Sequence, residues 1–334
     1  MVIDQRNAGA SVTPTADVYT LDRWQAVRSQ SSKFSVQQNA ASVTPPSGFT
    51  NYLGITSLSA YSVLTADYFI IQQNIEGFNT ADLAWGTASA QTITLSFWVR
   101  SSLTGTFGGA LNNNTNNRSY PFSYSVSAAN TWEQKSITIS GDTSGTWLTN
   151  NSTGIQVRFS LGMGATYSGT AGAWSGSSLY SATGATSVVG TNGATFYITG
   201  VQLERGTVAT PFEYRNYQQE LAMCQRYYCK TFSIGTAPGN NVTSTGALKG
   251  ALRSGTTTEP SANWKFPVSM RTEPTVTLYN TGSGTAGQWS ADGAATSSAN
   301  ARSQWISTEG CAMDNTGVAF NNLANIQAAA SAEL

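Results

Sequence analysis

Apolar and polar residues alternate along many short segments of this chain, and Gly, Asn, Ser or Pro separates one segment from the next. The clearest example covers residues 92–100. Its apolar side chains all share one parity: Ile93, Leu95, Phe97 and Val99. The other parity carries Thr94, Ser96, Trp98 and Arg100. A period of two is typical of a β-strand with one face on a core and the other face open.

Six further segments before residue 205 have the same character: KFSVQQ, DYFIIQQNI, PFSYSVS, KSITIS, GIQVRFSLG and ATFYITGVQLE. Seven or more such strands with turn residues between them predict an antiparallel sandwich. In GIQVRFSLG the alternation assigns Val157 and Phe159 to the core and Arg158 to the open face. The predicted fold class is therefore all-β.

One stretch departs from the β pattern, because its apolar side chains recur at intervals of three and four. These side chains are Tyr214, Tyr217, Leu221, Cys224 and Tyr228. Such spacing places one apolar stripe along a helix. Pro211 suits the start of a helix, and the Gly and Pro of GTAPGNN end it. We predict a short linking helix over residues 213–232.

The apolar stripe of this helix must be buried, and two arrangements can bury it. In the first, the stripe packs on its own chain against the end of the first sandwich. In the second, the helices of three identical chains meet around a threefold axis, and Leu221 supports a homotrimer. Two heptads are too short to hold a coiled coil alone, so the β-domains on either side would have to assist.

After residue 232 the β pattern resumes, as in ANWKFPVSM and PTVTLYNTG, and predicts a smaller C-terminal β-sandwich. A chain of 334 residues is long enough for two domains. The predicted organisation has four parts. They are an N-terminal arm at 1–25, a first sandwich at 26–212, the linking helix at 213–232 and a C-terminal β-domain at 233–334.

Composition excludes several classes of function. Lys+Arg and Asp+Glu balance at 17 each, and no basic run occurs, so the charge pattern of a nucleic-acid binder is missing. No apolar run is long enough for a signal peptide or a membrane span, and we expect no membrane insertion. The three cysteines are an odd number without C-x-x-C spacing, which indicates free thiols.

The sequence contains no histidine, which excludes Ser-His-Asp and Cys-His catalysis and the commonest zinc ligation. We predict that the protein is not an enzyme and has no catalytic residues and no metal site. Structural calcium is the one cofactor that stays open. Its candidate position is the GDTSG turn at residues 141–145, and the alternative there is an ordinary hairpin turn.

Aromatic rings on an open sheet face suit a sugar binder, because pyranose C–H groups stack on the rings while neighbouring polar groups hold the hydroxyls. Trp98 with Arg100, together with Arg158 and Tyr197, fits this description. We assign these four residues to glycan or subunit contact. The alternative is that Trp98 packs under a loop or against a neighbouring subunit.

Several segments carry a resemblance to known proteins. TLSFWVRSSLTG, ANTWEQKSITISGDTSGTW and TFYITGVQLERGTVATPFEYR look like successive strands of a carbohydrate-binding-module-like jelly roll found in bacteriophage virion proteins. NYQQELAMCQRYYCKTF, WKFPVSMRTEPTVTLYN and SAEL are similar to the distal part of phage tail-fibre and other appendage proteins. The resemblance covers roughly residues 20–330.

This resemblance implies a jelly roll in the first domain and a structural protein of the virion. Such a protein is made in the host cytoplasm, forms an oligomeric appendage of the tail-fibre type, and contacts itself, other virion proteins and host surface glycans. A capsid decoration or head-fibre protein is the first alternative. A free carbohydrate-binding protein is the second.

Overall fold

The computed structural model describes residues 1–239, 244–251, 262–291, 297–299, 301–315 and 323–334. The chain divides into two compact units. The first consists of residues 1–2, 9–214 and 334, and the second of residues 3–8 and 215–333. Both units consist mainly of strands, so the predicted all-β fold class is confirmed. In the described ranges, no helix has the length and apolarity needed to cross a bilayer.

The first unit contains two large antiparallel sheets. Its strands are β1 (Val18–Leu21), β2 (Trp24–Arg28), β3 (Phe34–Gln38), β4 (Leu53–Ser57), β5 (Tyr68–Glu76), β6 (Ile93–Ser101), β7 (Gly105–Asn112), β8 (Ser119–Val126), β9 (Glu133–Ile139), β10 (Thr153–Met163), β11 (Ser168–Gly169), β12 (Ser181–Ala182) and β13 (Thr195–Arg205). One sheet has the order β1-β2-β5-β10-β7-β8, and the other has the order β3-β4-β13-β6-β9. The short strands β11 and β12 form a separate parallel pair.

The core of the first unit lies between these two sheets and is rich in aromatic rings. Phe97 of β6 and Phe159 of β10 pack edge to face with ring centroids 5.0 Å apart. Phe107 stacks on Phe196 at 5.9 Å. The predicted core parity of β6 and β10 is confirmed, since the apolar side chains on it are buried.

The outer faces of both sheets are also covered. Segment 39–52 lies on the five-stranded sheet, where Ala40 and Tyr52 pack with Tyr197. Segment 164–185 lies on the six-stranded sheet, where the carbonyl of Leu179 accepts a hydrogen bond from Asn112 Nδ2 at 3.0 Å. The outer-face side chains beneath these two segments are therefore shielded from solvent, whereas Gln134 and Ser136 on β9 are exposed.

In the second unit, the described residues form one helix and two sheets. Its elements are α1 (Tyr217–Gln225), β14 (Tyr228–Lys230), β15 (Leu248–Ala251), β16 (Ala262–Lys265), β17 (Thr275–Asn280), β18 (Gln288–Ala291), β19 (Ser297–Ala299), β20 (Ala301–Gln304), β21 (Gly310–Asn315) and β22 (Leu323–Ser331). Strand β22 is central, because it pairs with β14, β15, β17 and β18. The smaller sheet has the order β16-β21-β20. Trp289, Met313 and Ile326 are buried in the core of this unit.

Residues 1–25 differ from the predicted arm. Strand β1 and the start of β2 belong to the six-stranded sheet, while residues 3–8 belong to the second unit. There, Gln5 Nε2 donates to the Tyr228 carbonyl at 2.8 Å, and Lys230 Nζ donates to the Gln5 carbonyl at 2.6 Å. These bonds form because Gln5 and Lys230 are both buried and must find partners.

The helix is shorter than the predicted 213–232. It begins after Asn216, whose side chain accepts a hydrogen bond from the Gln219 amide at 2.8 Å and caps the first turn. It ends at Gln225, and the following strand β14 pairs with β22. Tyr228, predicted on the helical stripe, therefore lies in a strand, where an aromatic residue is favoured.

The apolar stripe is divided between buried and exposed positions. Leu221 and Cys224 are buried with Ile3 inside the second unit. Tyr214, which precedes the helix, and Tyr217 are 61% and 45% exposed. Leu221 therefore packs within its own chain, against Ile3, a contact that the helical spacing did not indicate.

The three cysteines are free, as predicted, and all three are buried. Burial raises the pKa of the Cys229 thiol to about 12 and the pKa of the Cys311 thiol to about 11. A thiol with a raised pKa stays protonated at neutral pH, and the thiolate is the reactive form. The pKa of these thiols in the unfolded chain is near 9.0. Burial of the protonated thiols therefore contributes its full stabilisation below that pH, and the stabilisation declines as the pH rises above it.

We expect Cys229 and Cys311 in the native protein to react with Ellman's reagent at pH 8 at least about 100-fold more slowly than in denaturant, from the thiolate fraction alone. Absorbance at the thionitrobenzoate band measures the rate, and mass mapping assigns it to each cysteine. Denatured protein is the control. Fast native labelling of either residue would contradict the burial described above.

Candidate functional site

The five-stranded sheet brings together three of the four residues predicted to contact glycan. Trp98 and Arg100 lie on β6, and Tyr197 on β13 is paired directly with Arg100 across the strands. All three are on the outer face. Trp98 and Arg100 are half-buried. The fourth residue, Arg158, lies on the other sheet.

Tyr197 is not open to solvent, which corrects the prediction for this residue. Its exposed fraction is 1%, because segment 39–52 covers it. The Tyr52 ring lies 5.2 Å from the Tyr197 ring, and the Arg100 guanidinium lies 5.6 Å from the same centroid. Arg100 Nε donates to the Asn130 carbonyl at 3.0 Å. The Tyr197 ring thus lies under the Arg100 guanidinium in a cation–π contact.

Next to Trp98, three rings form a cluster that we call the aromatic platform: Phe49, Phe212 and Tyr214. Their centroids are 5.0 to 5.6 Å apart, and each ring contacts the other two. Tyr214 is 61% exposed, while Phe49 and Phe212 are half-buried. The sequence analysis missed Phe49 and Phe212 because both lie outside strands, where no periodicity marks them.

Two glycines let the backbone approach these rings closely. Gly200 has φ +57°, and a Cβ there would lie 2.6 Å from Phe49 Cζ and 3.3 Å from Trp98 Cδ1. Gly48 has φ +89°, and its Cβ would lie 2.5 Å from the Tyr214 hydroxyl oxygen. A larger residue at either position would displace a ring. Gly200 interrupts the alternating segment ATFYITGVQLE, and a glycine inside a strand often marks a close approach of the backbone. It was the one feature of the sequence that indicated the close approach to Phe49.

Polar contacts fix the segment that carries Phe212 and Tyr214. Glu204 accepts hydrogen bonds from the Thr210 amide at 2.9 Å and from the Thr210 hydroxyl at 2.6 Å. Gln202 Oε1 accepts from the Glu213 amide at 2.8 Å. Burial opposes ionisation of Glu204, but hydrogen bonds from Thr210 and Gln202 outweigh it and lower the pKa of this carboxyl. The carboxylate therefore stays charged at neutral pH and holds the segment in place.

Arg158 was predicted on an open face, and this is also corrected. It is 5% exposed, because segment 164–185 covers it. Its Nε donates to Gln72 Oε1 at 2.9 Å, its Nη2 donates to Gln156 Oε1 at 2.5 Å, and its guanidinium lies 4.1 Å from the centroid of the Tyr180 ring. Burial lowers the pKa of Arg158 to about 10. Arg158 thus belongs to a closed polar layer.

That polar layer extends across the sheet. Gln72 Nε2 donates to Gln25 Oε1 at 2.8 Å, so Gln25, Gln72 and Arg158 form a row across three paired strands. Tyr167 stacks on Tyr180 at 4.9 Å and completes the cover. The row holds segment 164–185 on the sheet, whereas the aromatic platform is accessible.

The GDTSG turn, the candidate calcium position, contains an ion pair. Asp142 accepts hydrogen bonds from Arg118 Nε and Nη2, both at 2.6 Å, and from the Ser144 amide at 3.1 Å. The hydrogen bonds that Arg118 donates to Asp142 raise the pKa of Arg118. No group of three His, Cys, Asp or Glu side chains suited to a metal occurs in the described part of the chain.

Comparison with known proteins adds the following findings. No family model matches this chain, and no curated protein matches it. Among solved structures, it is similar to the enzymatically active domain of tailspike protein 4 of bacteriophage CBA120, with a TM-score of 0.32, 10% identity and 55% of this chain covered. The match spans 19% of the tailspike chain.

The chain is also similar to the family 11 carbohydrate-binding module of the cellulosomal cellulase Lic26A-Cel5E of Clostridium thermocellum. That match has a TM-score of 0.29 and 11% identity, and it covers 59% of this chain and 96% of the module. A third similar structure is TmCBM61 in complex with β-1,4-galactotriose, with a TM-score of 0.29 and 11% identity. It covers 55% of this chain and 88% of that one.

We expect Gly200→Ala to destabilise the first unit more than Gly193→Ala does. Both glycines have positive φ, so each substitution costs about 1–2 kcal/mol in backbone strain. Only at Gly200 does the new methyl group also meet Phe49, since nothing lies within 4 Å of a Cβ at Gly193. Urea denaturation of both variants measures the difference. Equal losses would show that the close approach of Phe49 is unimportant.

Proposed function

We propose that this protein is a non-enzymatic structural protein of a bacteriophage virion, an oligomeric surface appendage that contacts host glycans through the aromatic platform. The observation that carries the glycan contact is the platform itself. Three rings contact one another at the surface, and the absence of a Cβ at Gly48 and Gly200 leaves the space that Tyr214 and Phe49 occupy. Apolar rings exposed as a group are typical of a binding site.

The chemistry of the platform suits a pyranose. The C–H face of a sugar ring can stack on Tyr214 and Phe212, and such contact removes apolar surface from water on both partners. Trp98 extends the apolar surface at one edge. Arg100 lies in the same sheet and uses Nε for the Asn130 carbonyl, so its Nη groups supply donors for sugar hydroxyls. A few polar groups around an apolar floor are the usual composition of a ligand site.

A binding role without catalysis is supported by the surroundings of the platform. The nearby carboxylate of Glu204 is engaged by Thr210 and Gln202. Glycoside hydrolysis needs two carboxylates at the scissile bond, whereas Glu204 is committed to the hydrogen bonds that hold this segment. The virion setting rests on the sequence resemblance over residues 20–330. The three buried free thiols suit assembly in a reducing cytoplasm.

We expect the double variant Phe212→Ala/Tyr214→Ala to bind glycans at least about tenfold more weakly, which corresponds to roughly 1.4 kcal/mol. The reason is the loss of stacking surface. A glycan array that includes host lipopolysaccharide identifies the ligand, and titration calorimetry measures the affinity. Phe78→Ala is the matched control, because Phe78 is 60% exposed and lies outside the platform. Unchanged binding in the double variant would exclude the platform as the site.

We expect the purified protein to form a homotrimer, with a mass of three times 35.2 kDa in light scattering across a dilution series. Leu221 is unsuited to test the interface, since it is buried within its own unit. Met223 is 43% exposed on the same helix, so Met223→Asp should produce monomers if this helix joins the copies. Gln218→Asp is the control. A monomer mass for the unaltered protein at micromolar concentration would contradict the trimer.

A further inference from the structure

Trp305, in the second unit, combines two features that oppose folding. Its side chain is 72% exposed, and its backbone has φ +47°. Exposure of an indole leaves a large apolar surface in water. A positive φ is rare for bulky residues, because their Cβ approaches the neighbouring carbonyl oxygen. A residue that retains both features is a candidate for a functional role.

The turn that carries Trp305 is rigid. It joins β20 to β21, and the Ser307 amide donates to the Gly310 carbonyl at 2.9 Å. The amides of Phe266 and Met270 donate to the carbonyls of Glu309 and Thr308, at 2.9 and 2.8 Å. These bonds attach the turn to neighbouring backbone on the side of β16.

The next residue explains why the indole faces outward. Ile306 packs against the core of the second unit and anchors the chain there. Trp305 is thereby displayed at the surface on a fixed backbone. A fixed aromatic ring binds a ligand with little loss of conformational entropy.

The residues around Trp305 indicate the class of ligand. Gln304, Ser307, Thr308 and Glu309 are all polar, and no contiguous apolar patch accompanies the indole on this turn. A protein partner or a second copy of the chain would need such a patch. One apolar ring surrounded by polar groups can bind a small ligand that has an apolar face for stacking and hydroxyl groups around the edge of that face.

Glu309 lies on the same turn, four residues after Trp305. Ser269 Oγ donates to Glu309 Oε1 and orients the carboxylate. Carboxylate oxygens accept hydrogen bonds from sugar hydroxyls, and such charge-assisted bonds are strong. The negative charge of Glu309 disfavours a ligand that is itself an anion.

We infer that Trp305 and Glu309 form a second saccharide-binding site, which takes a neutral pyranose stacked on the indole. This site is in the second unit and is separate from the aromatic platform of the first unit. It therefore goes beyond the proposed function and does not depend on the residues that carry it.

The test uses the full chain labelled with 5-fluorotryptophan and followed by fluorine NMR. The Trp305→Phe variant assigns the Trp305 resonance among those of the 9 tryptophans. The probes are a soluble β-1,3-glucan, a galactan, a mannan and, as the anionic case, polygalacturonate. We expect at least one neutral polysaccharide to shift the Trp305 line, with tenfold or greater weakening in Glu309→Ala. The shift should persist in Phe212→Ala/Tyr214→Ala.

Other results would overturn the inference in distinguishable ways. A shift of the Trp98 line alone would leave the proposed function intact and remove the second site. A Trp305 shift that follows protein concentration without polysaccharide would show self-association instead. A shift only with polygalacturonate would assign a different ligand. A Trp305 line that stays unchanged with every probe would remove the second site and leave the aromatic platform to its own glycan-array test.

A folding role for Trp305 is tested separately. We expect Trp305→Gly to unfold at the same temperature as the unaltered protein or at a higher one, because glycine accepts a positive φ and leaves no apolar ring in water. Trp264→Gly is the contrasting variant, since Trp264 is buried, and it should unfold at a clearly lower temperature. A large loss of stability in Trp305→Gly would assign Trp305 to the fold and overturn its binding role.

Discussion

The first unit depends on one constraint, the burial of the inner faces of both large sheets and of those parts of the outer faces that two segments cover. Aromatic rings such as Phe97 and Phe159 fill the inner space, while segments 39–52 and 164–185 cover the outer faces. Polar side chains beneath a cover must be hydrogen-bonded, since an unpaired buried group is costly. Arg158 meets this requirement through Gln72 and Gln156. Side chains that can bind a ligand are therefore limited to places where the covering segments end. The aromatic platform is one of these places.

Alternation of apolar and polar residues was sufficient to predict the strands and the inner core. It could not predict what covers the outer face, because a period of two records only which side of a strand a residue occupies. Tyr197 and Arg158 were assigned to the correct faces and still proved to be buried. The cover of Tyr197 comes from a segment far earlier in the sequence, and the cover of Arg158 comes from the segment that follows its own strand. Strand alternation marks neither of them.

The spacing of apolar residues also predicted the wrong end for the helix. Tyr228 falls at a helical interval after Cys224, yet β14 pairs with β22, about a hundred residues later, and this pairing prevails over local preference. The candidate site was partly predictable. Trp98 and Arg100 beside the platform followed from strand parity, whereas Phe49 and Phe212 of the platform lie in irregular segments and are brought together only by the fold.

The second unit joins residues from both ends of its own sequence. Residues 3–8 contact β14, and β22 pairs with four strands that precede it. During synthesis, residues 3–8 leave the ribosome long before β22, with almost the whole first unit in between. The nascent second unit therefore holds unpaired strand edges until translation of β22, a period in which such edges are prone to wrong pairing. All strands of the first unit lie within residues 18–205, so this connectivity lets the first unit fold before the second unit is complete.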